Sequence, residues 1–168
     1  MGFARFKRHI FRRKSIMEKN PLETNVVVQV GILVNDIEKS SQDFANILGV
    51  EKPAWSWTGT LEEAQTEYRG KPTKARAKLA FFPVGGQLTI ELIEPDHEPS
   101  TWREDLDKNG EGVHHLGFNI KGMKEKINVL EKSGIPLIQK GEYPGGRYAY
   151  LDANSTLKTL LELLENDN

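Results

Sequence analysis

The chain contains the same structural unit twice, and this repeat is its most constraining feature. The segment NVVVQVGILV is rich in β-branched residues and predicts a strand, and DIEKSSQDFANILG then keeps its apolar residues at helical spacing. The same order returns in GVHHLGFNI and GMKEKINVLEKSG. Two copies of one supersecondary unit can bury each other's apolar faces, so the repeat predicts one domain made of two related modules.

The two copies also agree position by position. Gln29 aligns with His115 and Gly31 aligns with Gly117. Each copy closes on a strand that carries the pattern Glu-Leu-aliphatic-Glu. Four further strand-like segments, bounded by Gly or Pro, lie between the helices and the closing strands: PAWSWT, KLAFFPV, IPLIQ and RYAYLD. We therefore predict an α+β fold in which each module has the order β-α-β-β-β.

The repeat sets the predicted domain boundaries. Module one spans residues 25–95, a linker spans 96–111, module two spans 112–166, and together they form a single domain over 25–168. Module one is longer because of an insertion between Ala54 and Lys74, where TLEE predicts a capped helical turn. The linker sequence TWRE predicts another such turn. Insertions in repeat folds gather on one face, which is often the binding face.

Charge is distributed unevenly between the ends of the 168-residue chain, whose net charge is −1. Residues 1–20 hold seven basic side chains against Glu18 alone, so the remainder of the chain is acidic. We predict that residues 1–24 are a basic, disordered leader, which leaves organelle import as an alternative to the cytoplasmic localisation we expect. An acidic domain repels phosphate backbones, so we expect no nucleic-acid partner.

The sequence lacks two features, cysteine residues and a long apolar stretch, and each absence excludes a class of function. The chain has no cysteine, which excludes disulfides, thiolate metal sites and cysteine nucleophiles, so any metal must be held by nitrogen and oxygen ligands. Its longest apolar stretch, from Val26 to Val34, is interrupted by Gln29 and is shorter than the roughly 18 residues that a membrane span needs. We therefore expect no membrane interaction.

Four polar residues stand among aliphatic neighbours at corresponding positions of the repeat: Gln29, Glu91, His115 and Glu162. A carboxylate buried among aliphatic side chains needs a cation or dense hydrogen bonding. Because side chains alternate along a strand, Glu94 and Glu165 point away from Glu91 and Glu162, and we expect them at strand exits, nearer to solvent. One imidazole, two carboxylates and an amide oxygen suit a divalent ion such as Zn, Ni, Co, Mn or Fe(II).

At these residues the sequence resembles the vicinal oxygen chelate superfamily (glyoxalase, bleomycin resistance and dioxygenase proteins). The resemblance implies two β-α-β-β-β modules that form a cupped, barrel-like mixed sheet around a divalent metal. ELIEP, GEGVHHLGFNI and ELLE look like methylmalonyl-CoA epimerase, although Gln29 stands where that family usually has His and Lys78 where it has a catalytic Glu. The order Gln, Glu, His, Glu is similar to glyoxalase I, which assigns proton transfer to Glu162.

The resemblance implies an enzyme that removes a proton α to a carbonyl, an isomerase or lyase acting on a small carbonyl substrate. Glu162 is the preferred base and Glu91 the second candidate. Arg147 and Tyr148 are candidate substrate-binding residues, since Arg and aromatic side chains are favoured at binding sites. A non-catalytic module that sequesters a small molecule, or an Fe(II) dioxygenase, are alternatives. The apolar strand edges are also compatible with a homodimer.

Overall fold

The computed structural model describes residues 20–167, which form ten strands and four helices. The leader prediction falls largely on residues 1–19, outside the described residues. All ten strands join one curled mixed sheet in the order β2-β5-β6-β1-β7-β10-β9-β8-β3-β4. In chain order the elements are β1 (Gln29–Leu33), α1 (Ile37–Leu48), β2 (Ser56–Trp57), α2 (Leu61–Ala64), β3 (Glu67–Tyr68), β4 (Lys71–Pro72), β5 (Ala77–Pro83), β6 (Thr89–Pro95), α3 (Thr101–Asn109), β7 (Gly112–Asn119), α4 (Met123–Lys132), β8 (Leu137–Tyr143), β9 (Gly146–Leu151) and β10 (Leu160–Asn166).

The predicted α+β class and the cupped sheet are confirmed, and the register shows the repeat. Strands β1 and β7 pair antiparallel, with Val30 opposite Leu116. Gln29 pairs with Gly117 and Gly31 with His115, so the aligned positions exchange places across this pair. A pseudo-twofold axis therefore passes between β1 and β7, at the centre of the sheet.

The two long module helices begin and end in different ways. Asp36 caps α1 by accepting a hydrogen bond from the Lys39 amide, and Gly49 ends the helix in the left-handed conformation that glycine adopts at low cost. Helix α4 begins after Gly122, which has no side chain to cap it. Its first amides donate to the Glu165 carboxylate at the end of β10.

The second Glu of each closing strand therefore has a structural role. Glu94 accepts a hydrogen bond from the Ile37 amide at the start of α1 and pairs with Lys78 at 2.6 Å. Glu165 makes the equivalent contact at the start of α4. Both carboxylates are largely shielded, with side-chain exposures of 22% and 16%. They are nevertheless more exposed than Glu91 and Glu162, whose side chains are 6% and 4% exposed, as expected for residues at strand exits. In addition, each one anchors the helix of its own module to the sheet.

The insertion of module one crosses to the far edge of the sheet. Its capped turn forms α2 after Thr60, as predicted, and the chain then adds β3 and β4, which the sequence did not indicate. Strand β3 pairs with β8, the outer strand of module two. The Arg69 amide donates to the Ile138 carbonyl at 2.7 Å beyond this pairing. The sheet therefore curls until a segment of module one completes the edge of module two.

The linker helix α3 covers one end of the curled sheet. It begins one residue earlier than predicted, because Ser100 and not Thr101 caps it by accepting from the Arg103 amide. Trp102 and Leu106 are buried against residues from both modules: Leu33, Ala77, Ile93, Tyr150 and Leu160. Apolar packing therefore covers this end of the cup. Among residues 20–167, no helix combines the length and apolarity needed to cross a bilayer.

Candidate active site

The four predicted ligand positions converge at the centre of the sheet, beside the pseudo-twofold axis. Nε2 of His115 lies 3.1 Å from Glu162 Oε2 and 3.5 Å from Glu91 Oε2. Gln29 makes a side-chain hydrogen bond to Glu91. His115, Glu91 and Glu162 are buried, with 0%, 5% and 3% exposure. Residues from β1, β6, β7 and β10 therefore form one buried polar cluster.

Two glycines make room for this cluster. A Cβ on Gly31 would lie 2.0 to 2.5 Å from the ring of His115. A Cβ on Gly117 would lie 2.8 Å from both Gln29 Cβ and Glu162 Oε2. Since those distances are shorter than any normal contact, the polar side chains occupy the space that side chains at positions 31 and 117 would otherwise fill.

A β-bulge brings a second histidine to the same place. Gly31 pairs with His115 and Ile32 with Val113, so His114 is an extra residue in β7. Its ring is fully buried, and its Nδ1 lies 3.0 Å from Nδ1 of His115. Its Nε2 faces Asp105 of α3 at 3.7 Å. Without the bulge, side chains 114 and 115 would point to opposite faces of the sheet.

Burial and mutual charge shift the protonation of the cluster. Burial and the charge of Glu162 raise the pKa of Glu91 to about 7. Burial and the neighbouring His115 lower the pKa of His114 well below its ordinary value, so its ring is neutral and has a single N–H. Burial lowers the pKa of His115, but the negative charges of Glu162 and Glu91 outweigh it and raise that pKa.

The cluster lies at the wall of a cavity of about 440 Å³. Gln29, Glu91 and Glu162 line it at the sheet, and most of the remaining wall is aromatic or aliphatic. This volume falls within the range of small-molecule sites, which are usually apolar with a few converging polar groups. The arrangement can therefore hold a small ligand with one end against the carboxylates.

The two candidate substrate-binding residues face different surfaces. Tyr148 lines the cavity, and its hydroxyl accepts a hydrogen bond from the Gln139 amide at 3.3 Å. Arg147, its neighbour on β9, forms ion pairs with acidic side chains on the other face of the strand and does not line this cavity. Because side chains alternate along β9, only one of the two can reach a ligand held in the cup.

The sequence reasoning missed several residues that line the cavity or support it. Trp102 was predicted only as part of a linker turn, yet its ring lines the cavity and its Nε1 donates to the Tyr150 hydroxyl at 3.2 Å. Phe81 and Tyr150 lie directly opposite Glu91 and Glu162 in the sheet register. Residues paired across neighbouring strands share a face of the sheet, so both rings could be found only once the register of β5 and β9 was known.

Comparison with known proteins gives the family. A profile of the Glyoxalase/Bleomycin resistance protein/Dioxygenase superfamily matches residues 28–150. The chain belongs to this superfamily. The matched range holds Gln29, Glu91 and His115 and ends before β10, which carries Glu162. The uncharacterized protein YqjC of Bacillus subtilis (strain 168) is 28% identical over 144 residues, which cover 84% of this chain and 92% of that protein.

Solved structures of this superfamily share the fold at low identity. Methylmalonyl-CoA epimerase from Mycobacterium tuberculosis is 20% identical with a TM-score of 0.60, over 92% of this chain and 95% of that one. A Streptomyces coelicolor methylmalonyl-CoA epimerase in complex with 2-nitronate-propionyl-CoA is 20% identical with a TM-score of 0.58, over 84% and 97%. A hypothetical protein from Bacillus halodurans C-125 is 23% identical with a TM-score of 0.59, over 85% and 95%.

Proposed function

We propose that this superfamily member is a divalent-metal-dependent isomerase or lyase that removes a proton α to a carbonyl. One observation carries the proposal. Three buried polar atoms, His115 Nε2, Glu91 Oε2 and Glu162 Oε2, face one another and have no hydrogen-bond partner. Two carboxylates buried side by side repel each other, and a cation held between them would offset both the repulsion and the lost hydration.

The residues present fit a divalent metal ion. Among residues 20–167, no three His, Cys, Asp or Glu side chains already stand as a complete ion site. The separations of 3.1 and 3.5 Å from His115 Nε2 are nevertheless close to the roughly 3.0 to 3.4 Å between neighbouring ligands that each bind a metal at about 2.1 Å. We therefore assign Gln29, Glu91, His115 and Glu162 as the ligands, with positions left for water or substrate.

The carboxylates supply the proton chemistry in this proposal. A bound divalent ion acts as a Lewis acid that offsets negative charge on a substrate oxygen. Glu162 accepts the proton from the carbon next to the carbonyl, and Glu91, on the other side of the pseudo-twofold axis, is the second candidate. The surrounding wall is mostly apolar, which lowers the local dielectric constant and strengthens the charge interactions on which this step depends.

The experiment is solvent deuterium exchange into a panel of carbonyl compounds with acidic α-protons, using protein loaded with Zn, Ni, Co, Mn or Fe(II). We expect exchange into at least one compound with the wild type and its loss in Glu162→Gln. Glu165→Gln is the matched control, because it makes the same change on the same strand at a side chain that points away from the cavity. Exchange that persists in Glu162→Gln would reject Glu162 as the base.

A non-catalytic sequestering module is the second candidate, and the predominantly apolar wall of the cavity favours it. Such a module needs the cavity but not the ion. Metal analysis after reconstitution separates the two: one ion per chain supports the enzyme, and no bound ion supports the module. An Fe(II) dioxygenase fits less well, because that chemistry prefers two histidines and one carboxylate, whereas the cluster offers one imidazole and two carboxylates.

A further inference from the structure

The wall of the cavity is unusually aromatic for its size. Six rings line it: Trp57, Phe81, Trp102, Tyr143, Tyr148 and Tyr150. Three of them pack on one another, with the centroid of Tyr148 lying 5.2 Å from that of Tyr150 and 6.1 Å from that of Trp102. Packed rings with fixed orientation present edges and faces on which a flat aromatic ligand can stack.

All the charge on this wall has one sign. Three acidic residues line the cavity: Glu91, Glu142 and Glu162. The described lining residues include no lysine or arginine. Arg76 and Lys78 stack on the ring of Trp57 and do not themselves line the cavity.

Those nearby cations already have partners of their own. Arg76 donates from Nε to the Thr58 carbonyl at 2.8 Å, and Lys78 pairs with Glu94 at 2.6 Å. Arg147, on the other face of β9, pairs with Asp167 at 2.7 Å and with Glu165 at 3.3 Å. An anionic ligand inside the cup would therefore be buried without a cation to pair with, which is costly.

The proposed metal does not change this balance. Two carboxylate ligands neutralise a divalent ion, because His115 and Gln29 are uncharged when they act as ligands. No positive charge is then left over for a carboxylate or phosphate on the substrate. The neutrality of the metal with its ligands rests on the proposed function, whereas the negative charge of the cavity wall does not.

We propose that the natural ligand of this cavity is a neutral aromatic carbonyl compound, and not a free carboxylate or a coenzyme A thioester. The aromatic group packs against the side of Trp102, Tyr148 and Tyr150 that faces the cavity, and the carbonyl end lies toward Glu91 and Glu162. The substrate class thus differs from that named for the epimerases with which this chain shares its fold.

A matched pair of compounds tests the charge preference. Phenylacetone and phenylpyruvate share the phenyl-CH₂-C=O framework and differ in having a methyl group or a carboxylate on the carbonyl carbon. Ligand-observed NMR titrations would use the full chain in the presence of a chelator, so that carboxylate binding to a metal does not contribute. We expect phenylacetone to bind about tenfold or more tightly than phenylpyruvate, and methylmalonyl-CoA not to compete with it.

A charge-reversal variant provides an internal control. Glu142→Lys places a cation at an exposed position of the cavity wall, and we expect it to strengthen phenylpyruvate binding more than phenylacetone binding. Glu51→Lys makes the same change in net charge at an exposed residue that does not line the cavity. The preference for neutral ligands should shrink in the first variant and persist in the second.

The outcomes separate this inference from the proposed function. Phenylacetone binding without deuterium exchange into any compound would reject the enzyme and keep the ligand class. Exchange into methylmalonyl-CoA, with tighter binding of that thioester than of phenylacetone, would keep the enzyme and overturn the ligand class. Failure of phenylacetone to bind, or equal binding of the matched pair, would also overturn it.

Discussion

Nδ1 of His114 lies 3.0 Å from Nδ1 of His115, and both rings are completely buried. One of the two nitrogens must carry the proton that joins them. If His115 donates from Nδ1, its Nε2 keeps a lone pair toward Glu91 and Glu162, and the single N–H of neutral His114 points toward Asp105. This assignment makes His115 Nε2 a metal ligand whose orientation is set by His114.

Replacing His114 should therefore weaken metal binding although His114 does not itself touch the ion. We expect His114→Leu to lower zinc affinity by about 10-fold to 100-fold, since it removes the acceptor that orients His115. Competition with a chromophoric chelator measures the affinity. His97→Gln, in an exposed loop, should bind zinc as the wild type does. A folded His114→Leu protein with unchanged zinc affinity would show that the pair has no orienting role.

A methyl group at position 31 should displace the ring of His115. We expect Gly31→Ala to destabilise the fold by about 1 to 3 kcal/mol, as overpacking of a core does, and to reduce zinc affinity at the same time. Urea unfolding and chelator competition measure the two effects. Val113→Ala, which changes an exposed residue of β7, should alter neither by much. Normal zinc binding by Gly31→Ala would mean that the ring can move without consequence.

The cap on α4 should make part of the stability depend on pH. Burial alone would raise the pKa of Glu165. The amides of Gly122 and Met123 and the charge of Arg147 together lower that pKa by more than burial raises it, so it lies below the ordinary value of 4.5. A carboxylate whose pKa is lowered by folding stabilises the protein above that ordinary value, and the stabilisation is lost as pH falls through the folded pKa.

Glu165→Gln keeps an acceptor at the start of α4 but removes its charge. We expect the variant to be about 0.5 kcal/mol less stable than the wild type at pH 7, and the difference to shrink as pH falls below 4.5 and through the lowered pKa of Glu165. Urea unfolding across this pH range measures it. Glu51→Gln, at an exposed residue just beyond α1, serves as the control. A difference that is constant with pH would exclude the charge of Glu165 as its cause.

The contact between the insertion and α3 should limit local opening of β3. Glu104 on α3 accepts hydrogen bonds from Tyr68 and Arg69 of the insertion. These groups are partly exposed, so we expect Glu104→Ala to cost at most about 1 kcal/mol locally. Hydrogen exchange at the Arg69 amide should accelerate by up to about fivefold. Asp43→Ala, which breaks an exposed ion pair on α1, should leave that amide unchanged.

Periodicity and repeat alignment predicted the parts of the fold that are built from long, regular segments. The fold class, the helix that follows β1 and the placement of the two modules around one axis follow from patterns that the sequence shows directly. Strands β3 and β4 have only two residues each, which is too short for any alternation to be visible. The pairing of β3 with β8 joins segments about 70 residues apart, and no local pattern reports such a contact.

The features of the site also divide into those that the sequence could predict and those that it could not. The convergence of Gln29, Glu91, His115 and Glu162 could be predicted because a repeated module puts equivalent positions beside one axis. The bulge at His114 could not, since it arises from a register shift between β1 and β7 and not from residue type. Nor could the separation of Arg147 and Tyr148 be judged before β9 was located, although alternation then decides it.

The pairing of β3 with β8 interlocks the two halves of the molecule. The chain crosses from module one to module two through the linker, and the insertion joins them again at the opposite edge of the sheet. A single cut in the linker would therefore leave two fragments that remain paired at two places, β1 with β7 and β3 with β8. A protein with this layout is suited to reassembly from separately expressed halves. Its cup cannot open wider unless the pairing of β3 with β8 is also broken.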